Sequence, residues 1–322
     1  MAPEEKDRVF SDTEIVETRN RAALVIVDEK ITKKAASDEA GISYTTFASW
    51  LDGKYAGNNN RITGEAHNWL VSRTEKKRRL ATVQKSPCFQ NTPTAKRFME
   101  ALQFAQILPE IVVIAAVAGV GKTTAVRQYQ KINPNVWTAT MSPSTSSPNG
   151  MMKALCVTLS ITERRYGGEL VRTIGGKVRG MGGVIIIDEA QHLSPLALDQ
   201  LRHFYDEYGV GIALVGNETV YSRLEGDGTT AKFAQLFSRI GARVTQLKPT
   251  MADLDVLIGA WGITDSEEIR LLKKIGQKPG ALRRVDKNMQ LASMLAAGEE
   301  KTRGEKHIRA AFERLSNSSA QS

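Results

Sequence analysis

Cysteine is scarce in this chain: Cys88 and Cys156 are the two in 322 residues, which excludes a disulfide framework and a thiolate metal site. No run approaches the ~20 apolar residues of a membrane-spanning helix, so no membrane partner is expected. The first residues, MAPEEKDRVF, lack a basic segment leading into an apolar stretch, so export is not expected and a cytoplasmic location is. No internal repeat is visible, and only the tail SNSSAQS reads as unstructured. What is present is ordinary for globular domains, with 41% hydrophobic and 25% charged residues. The net charge of +9 points to a polyanionic partner.

The most informative stretch is AAVAGVGKTT, Ala115–Thr124, which follows the apolar run Ile111–Ile114. It meets the phosphate-loop pattern G-x-x-x-x-G-K-[ST], with Ala116 where the first glycine is expected. Ala118, Gly119, Val120, Gly121, Lys122, Thr123 and Thr124 are therefore candidate ATP contacts. The glycines let successive N–H groups turn toward phosphate oxygens, and a following helix adds the positive end of its dipole. Lys122 would reach the β- and γ-phosphates, and the Thr123 hydroxyl would hold Mg²⁺.

Hydrolysis needs a metal-holding acid and a group that orients water. VIIIDEAQHL, Val184–Leu193, supplies Asp188 for Mg²⁺ and Glu189 beside it to activate water. LVGN ends in Asn217, placed to hydrogen-bond the attacking water or a phosphate oxygen.

The hydrophobic periods predict strands at Ile111–Ala115, Val136–Thr140, Val184–Ile187, Gly211–Val215 and Arg243–Leu247. Predicted helices at Thr94–Ala105, Thr123–Lys131, Met151–Ser160, Glu169–Arg179 and Pro195–Tyr208 alternate with them. Such alternation implies an α/β fold, a parallel sheet flanked by helices. Beyond Pro249 only helices are expected, at Met251–Ala260, Ser266–Ile275, Ala281–Ala297 and Glu305–Leu315.

The first eighty residues read as a helical module, with helices at Asp12–Asp28 and about Arg61–Arg79. Between them, Lys33–Tyr55 is similar to a helix-turn-helix in which Gly41 makes the turn, Ile42 packs beneath it and Ser43 caps the second helix. Tyr44, Thr45, Thr46 and Ser49 would then face a DNA groove, while Trp50 and Trp69 belong to the core. Arg73, Lys76, Lys77, Arg78 and Arg79 form a basic run suited to phosphate backbone. These readings divide the chain into a helix-turn-helix domain at 1–80, a linker at 81–93, an ATPase core at 94–248 and a helical lid at 249–322.

The motif set resembles the AAA+ ATPase superfamily. The N-terminal module ending WLDGKYAGNNNRI, together with IGQKPGALRRV, resembles more narrowly the transposition protein B family of Mu-like transposing bacteriophages. That resemblance implies an ATP-dependent protein of the bacterial host cytoplasm. Such a protein assembles as helical filaments on double-stranded DNA, delivers that DNA to a transposase and activates it. It also implies catalytic roles for Lys122, Thr123, Asp188, Glu189 and Asn217, an arginine finger at Arg239 acting on a neighbouring subunit, and a lid arginine at Arg283. Arg243 and Arg284 are rivals for the two arginine roles. Departures are Ala116 in the loop and Ser37 where helix-turn-helix motifs carry alanine. Lys153, Arg164, Arg165, Arg172, Lys177 and Arg179 cluster where filament ATPases line DNA. The alternatives are a nucleotide-switched helix-turn-helix transcriptional regulator and a helicase-loader-like ATPase.

Overall fold

The computed structural model describes residues 8–82, 84–162, 167–220 and 238–319. Contacts divide the chain into two units, Met1–Gln84 and Lys85–Ser322.

The first unit contains α1 (Asp12–Asp28), α2 (Lys33–Ala40), α3 (Tyr44–Leu51) and α4 (Asn59–Thr82). Short polar side chains start the first three. Ser11 and Glu14 form a capping box on α1, and Thr32 and Ser43 accept N–H groups of α2 and α3. The Ser11 N–H, followed by the Arg8 side chain, lowers the Glu14 carboxyl to about 2. α2 ends at Gly41 with φ of 71°, and Ile42 is buried beneath the turn. Phe47, Trp50, Ile62 and Trp69 form the core, and the buried Trp50 Nε1 donates to Thr63 Oγ1 at 3.1 Å. Both tryptophans are thus core residues. Ser37 is buried, and its hydroxyl donates to the Lys34 carbonyl at 2.8 Å, so serine fits where alanine was expected. α4 is longer than the expected 61–79 helix, because Asn58 Oδ1 accepts the Arg61 N–H at 3.0 Å and caps a start inside the polar GKYAGNNN stretch.

The second unit is built on a five-stranded parallel sheet. Its strands are β1 (Ile111–Ala116), β2 (Val136–Thr140), β3 (Val184–Asp188), β4 (Gly211–Gly216) and β5 (Ile240–Gln246), in the order β2-β3-β4-β1-β5. Around it lie α5 (Pro93–Ile107), α6 (Lys122–Ile132), α7 (Pro148–Thr158), α8 (Gly167–Val178) and α9 (Pro195–Tyr208). Alternate strand residues feed opposite cores. Val113 joins Ile185, Ile187 and Leu214 on the face packed with Leu155, Ile174 and Leu201. Val112, Ile114, Ile186 and Val215 face Phe98 and Val126. Burial on both faces explains the unbroken apolar runs, and each large aliphatic side chain so buried contributes about 1.5–3 kcal/mol.

Two starts among the strands and flanking helices of this unit lie three residues ahead of expectation for local reasons. α7 begins at Pro148, not Met151, because Ser147 accepts the Gly150 N–H at 3.1 Å and proline occupies the first turn. β5 begins at Ile240, not Arg243, as Ile240 pairs with Ile111. It is an edge strand with alternating exposure, and the small residues Gly241 and Ala242 obscure its start.

The lid comprises α10 (Met251–Ala260), α11 (Ser266–Gly276), α12 (Ala281–Gly298) and α13 (Glu305–Ser319). α13 carries the helix through the first part of SNSSAQS, which is therefore not unstructured there; Ala320–Ser322 lie outside the described residues. Among the described residues no helix is long and apolar enough to cross a membrane.

Asp253 fastens the lid to the sheet unit. It is fully buried and accepts the Thr94 N–H at 2.8 Å, the Thr94 hydroxyl at 2.6 Å and the Thr250 N–H at 2.7 Å. Burial, the largest influence, pushes its carboxyl up, but the bonds from Thr94 and Thr250 together bring it below its ordinary value. The contribution to stability is therefore complete above the usual carboxylate range and is lost as pH falls through the lowered value. Asp253→Ala should cost about 3 kcal/mol in urea unfolding by stranding these donors; an unchanged midpoint and slope would show that the lid is anchored elsewhere.

Candidate active site

Because the strands run parallel, their carboxyl ends share one edge, and β1, β3 and β4 deliver the phosphate loop, Asp188 and Asn217 to it. A cleft of about 340 Å³ opens there, lined by all of Ala118–Thr124 and by Glu189, Asn217 and Arg283. Ala116 closes β1 as a buried residue and is not among the residues with positive φ, so a methyl group is accommodated at this departure from the pattern.

Gly119 has φ of 87°, and a Cβ there would stand 2.0 Å from the Gly280 carbonyl oxygen. The Arg283 N–H donates to the Gly119 carbonyl at 3.2 Å. The first turn of α12 thus rests directly on the phosphate loop. Of the two neighbouring arginines, Arg283 lines the cleft, whereas Arg284 lies 5.9 Å from the centre of the Phe312 ring.

Lys122 opens α6 as a buried residue. Its ammonium donates to the Ala116 carbonyl and, at 3.0 Å, to that of Val117. Burial lowers its pKa; Glu189 and Asp188 oppose that shift, and Arg283 adds to it. These are weak holding partners that a polyphosphate can replace with stronger charge-assisted bonds. Thr123 Oγ1 donates to Asp188 Oδ2 at 2.8 Å, so the two residues expected to hold Mg²⁺ are adjacent. A hydroxyl and a carboxylate are the hard oxygen donors that this ion takes.

Glu189 has φ of 56° and ψ of 39°, a left-handed conformation costing roughly 1–2 kcal/mol for a residue with a side chain. Its N–H donates to Asp188 Oδ1 at 3.0 Å, and its carbonyl accepts the His192 N–H at 3.1 Å. Asn217 Oδ1 accepts the Thr219 N–H at 3.1 Å and the Thr219 hydroxyl, leaving the NH₂ group for a ligand. Gln191, missed in the sequence, donates to Glu189 Oε2 and accepts the Asn217 N–H at 3.3 Å.

The wall away from the loop was also missed. Pro87, Cys88, Phe89, Leu257 and Leu282 line it, drawn from a segment that reads only as a linker and from two lid helices. Asp286 lines it too; burial raises its carboxyl, which accepts Trp261 Nε1 at 2.8 Å.

Other expected site residues lie elsewhere. Arg239 precedes β5 at the amino-terminal edge of the sheet and pairs with Asp206 at 2.7 Å. The seven residues of β5 put roughly 20 Å between it and the loop edge. Arg243 is exposed on β5. Tyr44 and Thr45 are exposed and Thr46 is half-buried at the start of α3. Lys153, Arg172 and Lys177 are exposed, whereas Arg179 pairs with Glu207 at 3.2 Å and lies 5.0 Å from the Tyr208 ring. Arg164 and Arg165 lie outside the described residues. In the basic run, Arg73 bonds Glu29 and Glu39, and Lys77 pairs with Glu29, so these two neutralise the unit's own carboxylates. Lys76 is exposed, and the side chains of Arg78 and Arg79 are outside the description.

A phosphate loop, an acid ending a nearby strand with a glutamate directly after it, an asparagine just past the strand between and an arginine from a helical lid define a P-loop ATPase of the AAA+ class. Residues 108–224 match the AAA domain family, and residues 238–315 match the Mu B transposition protein C-terminal family. The chain is 36% identical over 292 residues to the ATP-dependent target DNA activator B of Escherichia phage Mu, covering 90% of this chain and 92% of that protein. It is 32% identical over 267 residues to the Mu-like prophage FluMu DNA transposition protein B of Haemophilus influenzae, covering 82% and 92%. The chain belongs to the Mu B transposition protein family. A solved Walker-type ATPase of Pyrococcus abyssi is similar over 74% of this chain and 77% of its own, with 14% identity and a TM-score of 0.48.

Gly119→Ala should weaken binding of a fluorescent ATP analogue by about tenfold or more, because either the loop or the start of α12 must move. Affinity within about twofold of the parent would show that the lid yields without disturbing the loop.

Proposed function

We propose that this protein is an ATP-dependent target-DNA activator, an ATPase that binds DNA in its ATP state and delivers it to a transposase, which it activates. The observation that carries this reading is the meeting of Lys122, Thr123, Asp188, Glu189 and Asn217 at one cleft edge in a chain that aligns over 90% of its length with such an activator.

In this reading the loop N–H groups and Lys122 bind the phosphates, while Thr123 and Asp188 hold Mg²⁺. The ion supplies neutralising charge to the phosphate oxygens when bound. Glu189 orients the attacking water and takes its proton, Asn217 hydrogen-bonds the water or a phosphate oxygen, and Arg283 reports the nucleotide state to the lid. The protein acts in the bacterial host cytoplasm. For DNA we assign the start of α3, with the exposed Tyr44 and Thr45 and the half-buried Thr46, and Lys177 on α8. Arg179 is a weaker candidate, since binding must first release Glu207.

The position of Arg239 supports a reading in which the protein self-assembles. Roughly 20 Å from its own phosphate loop along β5, it can serve a nucleotide only in a neighbouring copy, after exchanging Asp206 for phosphate. A repeated contact of that kind is head-to-tail and builds a helix or ring.

Negative-stain electron microscopy on random-sequence duplex DNA should reveal continuous coating with ATP, none with ADP and none for Lys122→Ala with either nucleotide. Discrete particles under all nucleotide conditions would favour a nucleotide-switched regulator instead. Arg239→Ala should keep ATP affinity within about twofold while removing DNA-stimulated turnover; an unaffected turnover would confine Arg239 to its pair with Asp206.

A further inference from the structure

Gln191 lies in the 3-10 turn Ala190–His192, after the motif acid and glutamate. Its half-buried side chain bridges two parts of the site. The amide nitrogen donates to Glu189 Oε2, and the amide oxygen accepts the Asn217 N–H at 3.3 Å. The chemistry of the partners fixes the orientation, since a carboxylate only accepts and a backbone N–H only donates. β4 is shaped to receive the amide: a Cβ on Gly216 would lie 2.4 Å from Gln191 Oε1.

We propose that Gln191 is a positioning residue that holds the Glu189 carboxylate at its hydrolytic pose and ties that pose to the end of β4. The inference rests on the reading of Glu189 as the water-orienting group. A glutamate side chain has several rotors, and a base acts only when held within hydrogen-bond reach of the proton it takes. The amide engages one carboxylate oxygen and leaves the other for water. The same amide is anchored on the backbone of Asn217, so movement at the end of β4 is transmitted to the glutamate. Neither a nucleotide contact nor a metal contact is assigned to Gln191.

The test uses the full chain on random-sequence duplex DNA with Gln191→Ala, Gln191→Glu, Glu189→Gln and the double variant Q191A/E189Q. Gln191→Glu keeps the volume and the acceptor for Asn217 but replaces the donor that faces Glu189. Both Gln191 single variants should lower kcat by about tenfold or more, with KM for ATP, affinity for fluorescent ADP and the thermal unfolding midpoint unchanged. In the Glu189→Gln background, Gln191→Ala should lower single-turnover hydrolysis no further, because the group it positions is already gone. Parental kcat in both single variants, or an equal further loss in the double variant, would overturn the proposal, as would weakened ADP binding with unchanged kcat. If Gln191→Ala lowers the unfolding midpoint, Gln191→Glu decides the outcome. Retained turnover in Glu189→Gln itself would instead defeat the underlying reading of Glu189.

Discussion

Between the phosphate loop and the lid there is no room for a side chain at Gly119. Its backbone sits against the Gly280 carbonyl, and the Arg283 N–H closes a hydrogen bond on the Gly119 carbonyl. The loop that grips phosphate and the helix that presents Arg283 therefore form one contact. Asp253, bonded to Thr94 and Thr250, fixes the same lid to α5. A change in loop conformation is thus felt by the lid through backbone atoms, which have less freedom to rearrange than side chains.

The parallel sheet performs the second part of the assembly. Placing β4 between β1 and β3 sets Asn217 between the loop and the acidic pair, so one edge gathers residues from distant parts of the sequence. The opposite edge holds Arg239 with Asp206. Polarity of the strands thus separates the nucleotide cleft from the Arg239–Asp206 pair. In the proposed assembly, that separation would link oligomerisation to turnover.

Charge is allocated less simply than a net value of +9 suggests. Arg73 and Lys77 serve Glu29 and Glu39 inside the N-terminal unit, while Arg179 pairs with Glu207 and lies against Tyr208. Lys76, Arg172 and Lys177 are exposed. A basic run in a sequence counts charges without showing which carboxylates the fold brings to them, and screening makes the exposed ones the more salt-sensitive.

The strand-loop-helix around Lys122, the acid and glutamate after β3, the alternating α/β order and the helical lid were legible because local rules govern them. Apolar runs mark buried strands, glycine permits the phosphate turn, and capping residues start helices. Local chemistry also misled where a cap lay inside a polar stretch, as at Ser147 and Asn58, or where Gly241 and Ala242 hid the start of β5. The cleft wall from Phe89 and Leu257, the choice of Arg283 over Arg284, the bridge from Gln191 to Asn217 and the seat of Gly280 on Gly119 were beyond such rules. The sequence by itself determined which chemical groups this protein carries and the local elements that hold most of them. Tertiary structure alone decided which groups meet, because residues far apart in the chain are brought together by the packing of a sheet and a lid, and no periodicity along the chain records that contact.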